Sequence, residues 1–446
     1  MSGGPNTCCI RFFVYRKGNI RKEVYLSSTV ILGGGVTGLC AGYRRKRAIY
    51  EGQGVPGGLC ASYYVSADGN KDRRRSYRFE KGGGHWIFGH DKDLLQTVND
   101  LSPVKKYTRR ASVYFPDLDL RVPYPFQNHL YLFPKAIRDK VKNELRGPLS
   151  KVEPVTLHEW MIHHFGNTLC ELFFLPFHEL YTAGLSDKIT PEDLFKNPSN
   201  RSVILQGLTR KTTAVGYNVT YLYPKQGLDH LMGQIEGQCD INYNKRAEKI
   251  DVRGKNIFFK DGSEAAYKKL ISTVPLSEMT DLCGFKGLKR NDPYTSVLVY
   301  NIGARKAKKC PTDHWVYVPQ SQSGFHRIGF YSNVDAEFLP RTKGQEELVS
   351  IYVEKAFLPG QKPGKIQIDR LGREIIEELK SWQYIKEAEV ISPTWIEHAY
   401  TWQRPRSGWK QESLHRLKEH NIHSIGRYGA WKFQGILDSM RDGFLS

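Results

Sequence analysis

Short apolar runs, helical spacings and alternating stretches succeed one another along the chain. Val30-Ile31-Leu32 is wholly apolar, which predicts a strand buried on both faces. Arg47 to Tyr50 predicts a second strand. Little chain lies between them, so the intervening helix is expected to be clipped to about two turns, since a whole crossover needs roughly 10–12 residues. From residue 91 to 215 apolar positions recur at helical spacing, in DKDLLQTVNDL, KAIRDKVKNEL, TLHEWMIHHFGNTLCELFF and TPEDLFKNP. Thr156 and Glu159 form a capping pattern at the start of the third of these. From 216 to 340 the pattern turns strand-like: NIFFKDGSEAAYKKLISTV predicts a hairpin turning at Asp261-Gly262, followed by a strand back to the core. SVLVYNIG, HWVYVP and HRIGFYSN suit a mixed sheet, and HSIGRYGAWKFQGILDSMRDGF suits strand, glycine turn and helix.

The glycines carry the first candidate chemistry. Gly33, Gly35 and Gly38 follow the first strand as G-x-G-x-x-G, the spacing that makes a tight turn, lets a pyrophosphate approach the backbone and lets the next helix pack close. Glu51 closes the second strand and is placed to take ribose hydroxyls. It stands 51 − 38 = 13 positions after Gly38, short of the roughly 20 usual between such a turn and its acid. A second glycine turn, Gly57-Gly58 in GVPGGLC, follows at once.

Composition narrows the class. The chain has 446 residues, 40% hydrophobic and 25% charged, with material for two or three domains. No apolar run reaches the roughly 18 residues of a membrane span, and the start lacks a secretory pattern, so the cytoplasm is the expected compartment. The 8 cysteines contain no C-x-x-C, which argues against zinc and against a disulfide framework. A net charge of +20, with clusters at 43–47, 72–78 and 106–110, could serve an anionic partner. No nucleic-acid-reading motif accompanies it, which leaves solvated basic faces and phosphate-bearing ligands. His163, His164 and His178 lie in a helix-like stretch beside aromatics and are expected to be core or surface residues, so no metal site is assigned. No G-x-S-x-G elbow is present to suggest a hydrolase.

The order G-x-G-x-x-G, Glu51, PGGL, FEKGGGHWIFGHD (79–91), VPYPFQNHLYLFP (122–134) and a late GRYGAWKF…DS resembles UDP-galactopyranose mutases, within the wider FAD superfamily of amine oxidases and protoporphyrinogen oxidases. The likeness spans about residues 28–446, and GGGH…IF with YPFQN is its most mutase-specific part. It implies an α/β fold: a Rossmann-like FAD-binding domain of the GR2 type, an inserted helical domain and a mixed β-sheet substrate domain. The division expected is an N-terminal extension 1–27, FAD-binding segments 28–90, 216–280 and 411–446, a mainly helical domain 91–215 and a mixed-sheet domain 281–410.

The resemblance puts Gly33, Gly35, Gly38, Gly57 and Gly58 at the FAD phosphates, Glu51 at the ribose, and Ala247 at the adenine. It puts Gly83, Gly84 and His85 under the isoalloxazine ring, Gln127 beside it, and Gly426, Arg427 and Asp438 in the C-terminal flavin motif. Asp438 would open a helix whose dipole favours negative charge on a reduced flavin. Arg327 matches a diphosphate arginine, and Tyr317 and Tyr400 match tyrosines touching the diphosphate; with His85 these are the candidate catalytic residues.

In that family the reduced flavin attacks the anomeric carbon of UDP-galactose and displaces UDP, with no net redox change. An arginine fork suits the leaving diphosphate. Substrate positions depart from the pattern. The second diphosphate arginine is replaced by a region whose nearest cation is Lys196, a late tyrosine is Phe433, YPTPT becomes YTWQRP (400–405), and PFHELYTAGL (176–185) replaces a lysine-containing stretch. Three readings therefore stand: a nucleotide-sugar mutase using reduced FAD, an FAD oxidoreductase taking a hydride from an unknown substrate, and a flavin-free relic of the fold. With no second G-x-G-x-x-G, any NAD(P)H acting as reductant would share the substrate cleft. Oligomeric state is not legible.

Overall fold

The computed structural model describes residues 29–147, 151–191, 199–211 and 219–446. The 1–27 extension, Lys196 and most of TPEDLFKNP fall outside the described residues.

The strand Thr29–Leu32 lies at the centre of a five-stranded, wholly parallel sheet, as its apolar run requires. The strand order is Ile422–Ser424, Lys269–Ser272, Thr29–Leu32, Ala48–Tyr50, Asp240–Asn242. The chain thus runs outward in one direction from the first strand, then returns to its other side. That switch opens a crevice at the carboxyl ends of the strands. Gly33, Glu51, Thr273 and Gly426 all stand just beyond those ends.

The crossover helix is short, Val36–Gly42, two turns as expected. It packs against the last helix, Ile436–Phe444, so closely that a Cβ on Gly443 would stand 2.3 Å from the Thr37 carbonyl oxygen. The truncated crossover is thus covered by the far end of the chain. The basic cluster after it has a structural use. Arg45 donates from Nη2 to the Phe444 carbonyl at 2.6 Å, and Arg47 donates from Nη1 to the Ser446 backbone oxygen at 3.0 Å.

A second, seven-stranded sheet runs Ile385–Thr401, Tyr294–Lys306, Leu348–Phe357, Arg327–Phe330, Trp315–Tyr317, Ala111–Phe115, Leu120–Pro123. It is antiparallel except where Trp315–Tyr317 pairs in parallel with Ala111–Phe115. The sheet is therefore mixed, and it recruits two strands from the 91–215 segment. That segment is not purely helical, because it also holds Val104–Thr108, which pairs with Thr220–Pro224. Its helices Lys92–Leu101, Lys135–Arg146 and Leu157–Leu169 follow the apolar spacing. The last begins with the Thr156–Glu159 capping box, breaks its helical geometry at Gly166, and continues through Cys170–Phe174 into Leu175–Tyr181. The 256–272 hairpin turns at Gly262, whose φ of 80° is the left-handed conformation such a turn needs.

Candidate active site

The crevice at the parallel sheet and one face of the mixed sheet enclose a single cavity of about 1510 Å³. Typical pockets for one small ligand are about 300–1,000 Å³. This one has room for an extended cofactor and a second molecule.

The nucleotide side is built from the glycine turns. Gly35 lines the cavity, and nothing lies within 4 Å of where its side chain would stand. Its backbone is bridged to Gly57 of the second turn, so both turns share one wall. Gly38 has a different task. A Cβ there would stand 1.9 Å from the Gly33 carbonyl oxygen, so glycine lets the helix sit on the strand, and Gly38 does not reach the cavity.

Glu51 reaches it despite the short crossover. Its carboxylate accepts the Gly34 N–H at 2.6 Å and the Gln53 N–H at 2.7 Å, one on each oxygen. A carboxylate has about four acceptor sites, so two remain for hydroxyls. Ala247, with Lys245 and Arg246, lines the wall beyond Glu51.

In the middle lies the Gly82–His85 turn. Gly84 and His85 line the cavity, whereas Gly83 faces the sheet behind. A Cβ on Gly84 would stand 2.1 Å from Tyr352 Oη, and one on Gly83 2.8 Å from Glu354 Oε1. The turn's glycines therefore let backbone lie flat on the mixed sheet. Burial, then the nearby Arg427 charge, push the His85 imidazole down to about 4, so it is neutral at pH 7.

Gly426 and Arg427 line the same stretch. Arg427 donates to the Gln434 and Ala399 carbonyls at 2.9 and 3.2 Å and lies 4.5 Å over the Phe433 ring. Both Nη groups thus go to carbonyls, and no carboxylate among the described residues pairs with this cation beside the cavity. Asp438 lies in the first turn of the last helix, where its carboxylate accepts the Gly435 N–H at 3.2 Å.

The remaining wall comes from strand register. Tyr317 pairs with Arg327, and Arg327 with Glu354, so the three side chains form one cross-strand row. Arg327 grips Glu354 with Nε at 2.9 Å and Nη2 at 2.6 Å. Glu354 is 2% exposed; burial pushes its carboxyl up, but Arg327 and His326 pull it down to about 2. Tyr400, Tyr181, Phe177, Tyr124 and Trp402 complete an aromatic wall, with Tyr181 4.7 Å from Tyr400 and Tyr124 4.9 Å from Tyr317.

Not every expected residue lines the cavity. Gln127 is fully buried in the turn Phe126–Asn128 and does not line the cavity; Tyr124 of the same motif does. Gly38 and Gly83 act through packing and not through the cavity wall. Arg327 is already held by a carboxylate, which the sequence reading did not foresee. Glu354 was legible only as an acid interrupting the apolar run LVSIYV. Trp315 and Trp402 line the cavity, while Tyr331 and Trp431 lie in the core. His164 packs on Trp160 at 4.4 Å and donates to its carbonyl, and His178 donates to the Phe174 carbonyl, both as helix residues. No helix among the described residues is long and apolar enough to cross a membrane.

Residues 36–438 match the model of the flavin-containing amine oxidoreductases. The chain belongs to this family. Its members carry a flavin, and the open backbone at Gly35, the acceptor sites left on Glu51 and the uncancelled Arg427 charge fit that group. Among solved structures, the chain is similar to a reduced UDP-galactopyranose mutase, with a TM-score of 0.80, 24% identity and 94% of each chain covered. It is also similar to a putative protoporphyrinogen oxidase from Exiguobacterium sp. 255-15, with a TM-score of 0.69, 14% identity, and 94% and 98% covered. A putrescine oxidase bound to putrescine follows, with a TM-score of 0.56, 13% identity, and 94% and 97% covered. At these identities the likeness establishes the fold, and the chain is a flavin-dependent enzyme of that fold.

Proposed function

We propose that the chain binds FAD in this cavity and, with the flavin reduced, interconverts the ring forms of a nucleotide-diphosphate sugar. The observation that carries this reading is the row Tyr317–Arg327–Glu354 with Tyr400 on the cavity wall. Glu354 takes Nε and Nη2 of the Arg327 guanidinium, so Nη1 is the donor that remains for a departing diphosphate, with the flanking phenols beside it.

In this reading the backbone at Gly33, Gly35, Gly57 and Gly58 receives the pyrophosphate, with Gly38 holding the helix close. Glu51 takes the ribose and Ala247 borders the adenine. Gly84 and His85 support the ring, with Gly83 fixing their turn. Arg427, beside Gly426, and the helix opened by Asp438 favour negative charge on the pyrimidine side. A reduced flavin supplies a nucleophilic ring nitrogen. Glu354 fixes the Arg327 fork, and the aromatic wall excludes water.

Conversion of UDP-galactofuranose to the pyranose form by dithionite-reduced protein tests this. Dependence on reductant supports it, and no conversion contradicts it. NAD(P)H as reductant enters through the same cleft and is expected to bleach the flavin in a stopped-flow trace. We place the reaction in the cytoplasm.

One observation favours a second reading. Glu354 cancels the Arg327 charge, which suits an uncharged substrate and hydride transfer to oxidised flavin. Anaerobic bleaching by an amine, without sugar turnover, would select it.

A further inference from the structure

His326 stands beside the Arg327–Glu354 pair on the cavity wall. Its backbone is pinned on both sides: its N–H donates to the Glu354 carbonyl at 3.0 Å, and its carbonyl accepts the Val318 N–H at 3.0 Å. Its side chain is 1% exposed, yet it lines the cavity. The ring stands edge-on to Tyr181 at 5.2 Å and to Phe177 at 6.1 Å. Nε2 is 3.5 Å from Glu354 Oε2, on the carboxylate that Arg327 grips. Neither ring nitrogen has a hydrogen-bond partner among the described residues and both atoms are buried; with Nε2 nearest Glu354, Nδ1 is the nitrogen left for a ligand. A buried ring nitrogen left unpaired beside a cavity calls for a partner from the cavity.

We propose that His326 is a catalytic proton acceptor and donor for a hydroxyl of the bound substrate, with Glu354 as its positioning residue. This rests on the sugar-substrate reading. Ring interconversion takes a proton from one sugar oxygen and returns one to another. In the step assigned here, the substrate O–H bond breaks and its electron pair stays on oxygen. The proton forms a bond to Nδ1, and the resulting imidazolium faces Glu354. The proton then leaves Nδ1 for the ring oxygen, whose bond to the anomeric carbon breaks; the first oxygen's electron pair forms the new bond to that carbon, and the enzyme ends unchanged.

The direction of its titration agrees. Burial lowers the imidazole's affinity for protons, with Arg327 and Lys355 adding to this and Glu354 opposing, so the resting ring is neutral. Glu354 stays ionised, and its Oε2 stands 3.5 Å from Nε2, close enough to attract the ring once it is protonated. The sequence gives no motif for this. The site follows from His326 and Arg327 being neighbours at a strand entrance opposite Glu354.

The test uses the FAD-loaded, dithionite-reduced chain with UDP-galactofuranose. For His326→Asn and His326→Gln, kcat is expected to fall by about 10²–10⁴-fold with KM within about threefold, with loss of one limb of the kcat pH profile and with wild-type flavin content. Wild-type kcat in both variants would overturn the proposal. A parallel measurement covers variants that fold poorly and a wild type that turns over no UDP-galactofuranose, the result that defeats the substrate reading itself. Wild-type holoprotein is treated with diethylpyrocarbonate, and modified histidines are mapped by mass spectrometry. Modification at His326 supports a ring nitrogen open to the cavity, and protection of His326 from the reagent overturns it.

Discussion

Gly35 and Gly38 belong to one motif but answer to different forces, and the difference can be measured. The Gly38 Cβ position is blocked by the Gly33 carbonyl. Gly38→Ala is therefore expected to destabilise the chain by about 1–3 kcal/mol through overpacking. Gly35 has ordinary extended backbone, φ −74° and ψ −177°, and open space before it. Gly35→Ala is expected to hold stability within about 0.5 kcal/mol and still lose flavin. Urea melts with flavin content on the two variants check this; equal effects would contradict the division. The Arg327–Glu354 pair makes a second residue-scale prediction. Glu354→Ala leaves a guanidinium without its carboxylate and is expected to cost about 3–5 kcal/mol. Arg327→Met with Glu354→Met is expected to cost less than that single change, although both forms lose turnover. Denaturant unfolding of the two variants beside wild type reads the difference.

Among elements, the clipped crossover governs the nucleotide side. A two-turn helix presents little surface, and the last helix supplies the rest, held by Arg45 and Arg47. Arg45→Ala with Arg47→Ala is expected to cost about 2 kcal/mol, in line with charged hydrogen bonds, and to speed amide exchange in residues 436–446. Unchanged exchange there would contradict the clamp. The parallel strands at 29–32, 48–50, 269–272 and 422–424, the clipped helix, the 256–272 hairpin and the capping box were legible, because each depends on local spacing or turn chemistry; the short edge strand Asp240–Asn242 was not. The strands at 104–123 were not. Val104–Thr108 is polar at most positions and takes its place from pairing with Thr220–Pro224, more than 100 residues away. Gln127 is off the cavity lining for a related reason: its motif fixes a turn, and only packing decides which side chain of that turn faces the cavity. Glu354 and His326 were missed because their partnership is a matter of register between strands, which no local pattern records.

For the whole molecule, burial sets the response to pH. Glu80 is fully buried beneath the glycine turn, where its carboxylate accepts from Tyr223 and Ser62. Burial raises it from 4.5 to about 7, against the lowering from Tyr223, Arg78 and Ser62. Its folded value lies above its unfolded one, so between about pH 4.5 and 7 the folded chain keeps a proton that the unfolded chain loses. Its contribution to stability is complete below that window and is lost as pH rises through it, by about 3 kcal/mol. Glu80→Gln removes the slope, so wild type minus variant is expected to fall across that window in urea melts; parallel profiles would contradict it.

The central claim is that the two glycine turns, Glu51 and Arg427 hold a flavin despite the short crossover. The visible spectrum of the purified chain, with the flavin released by heat and quantified, tests it most directly. The account predicts a yellow protein yielding close to one FAD per chain. A colourless protein that takes up no added FAD would contradict it.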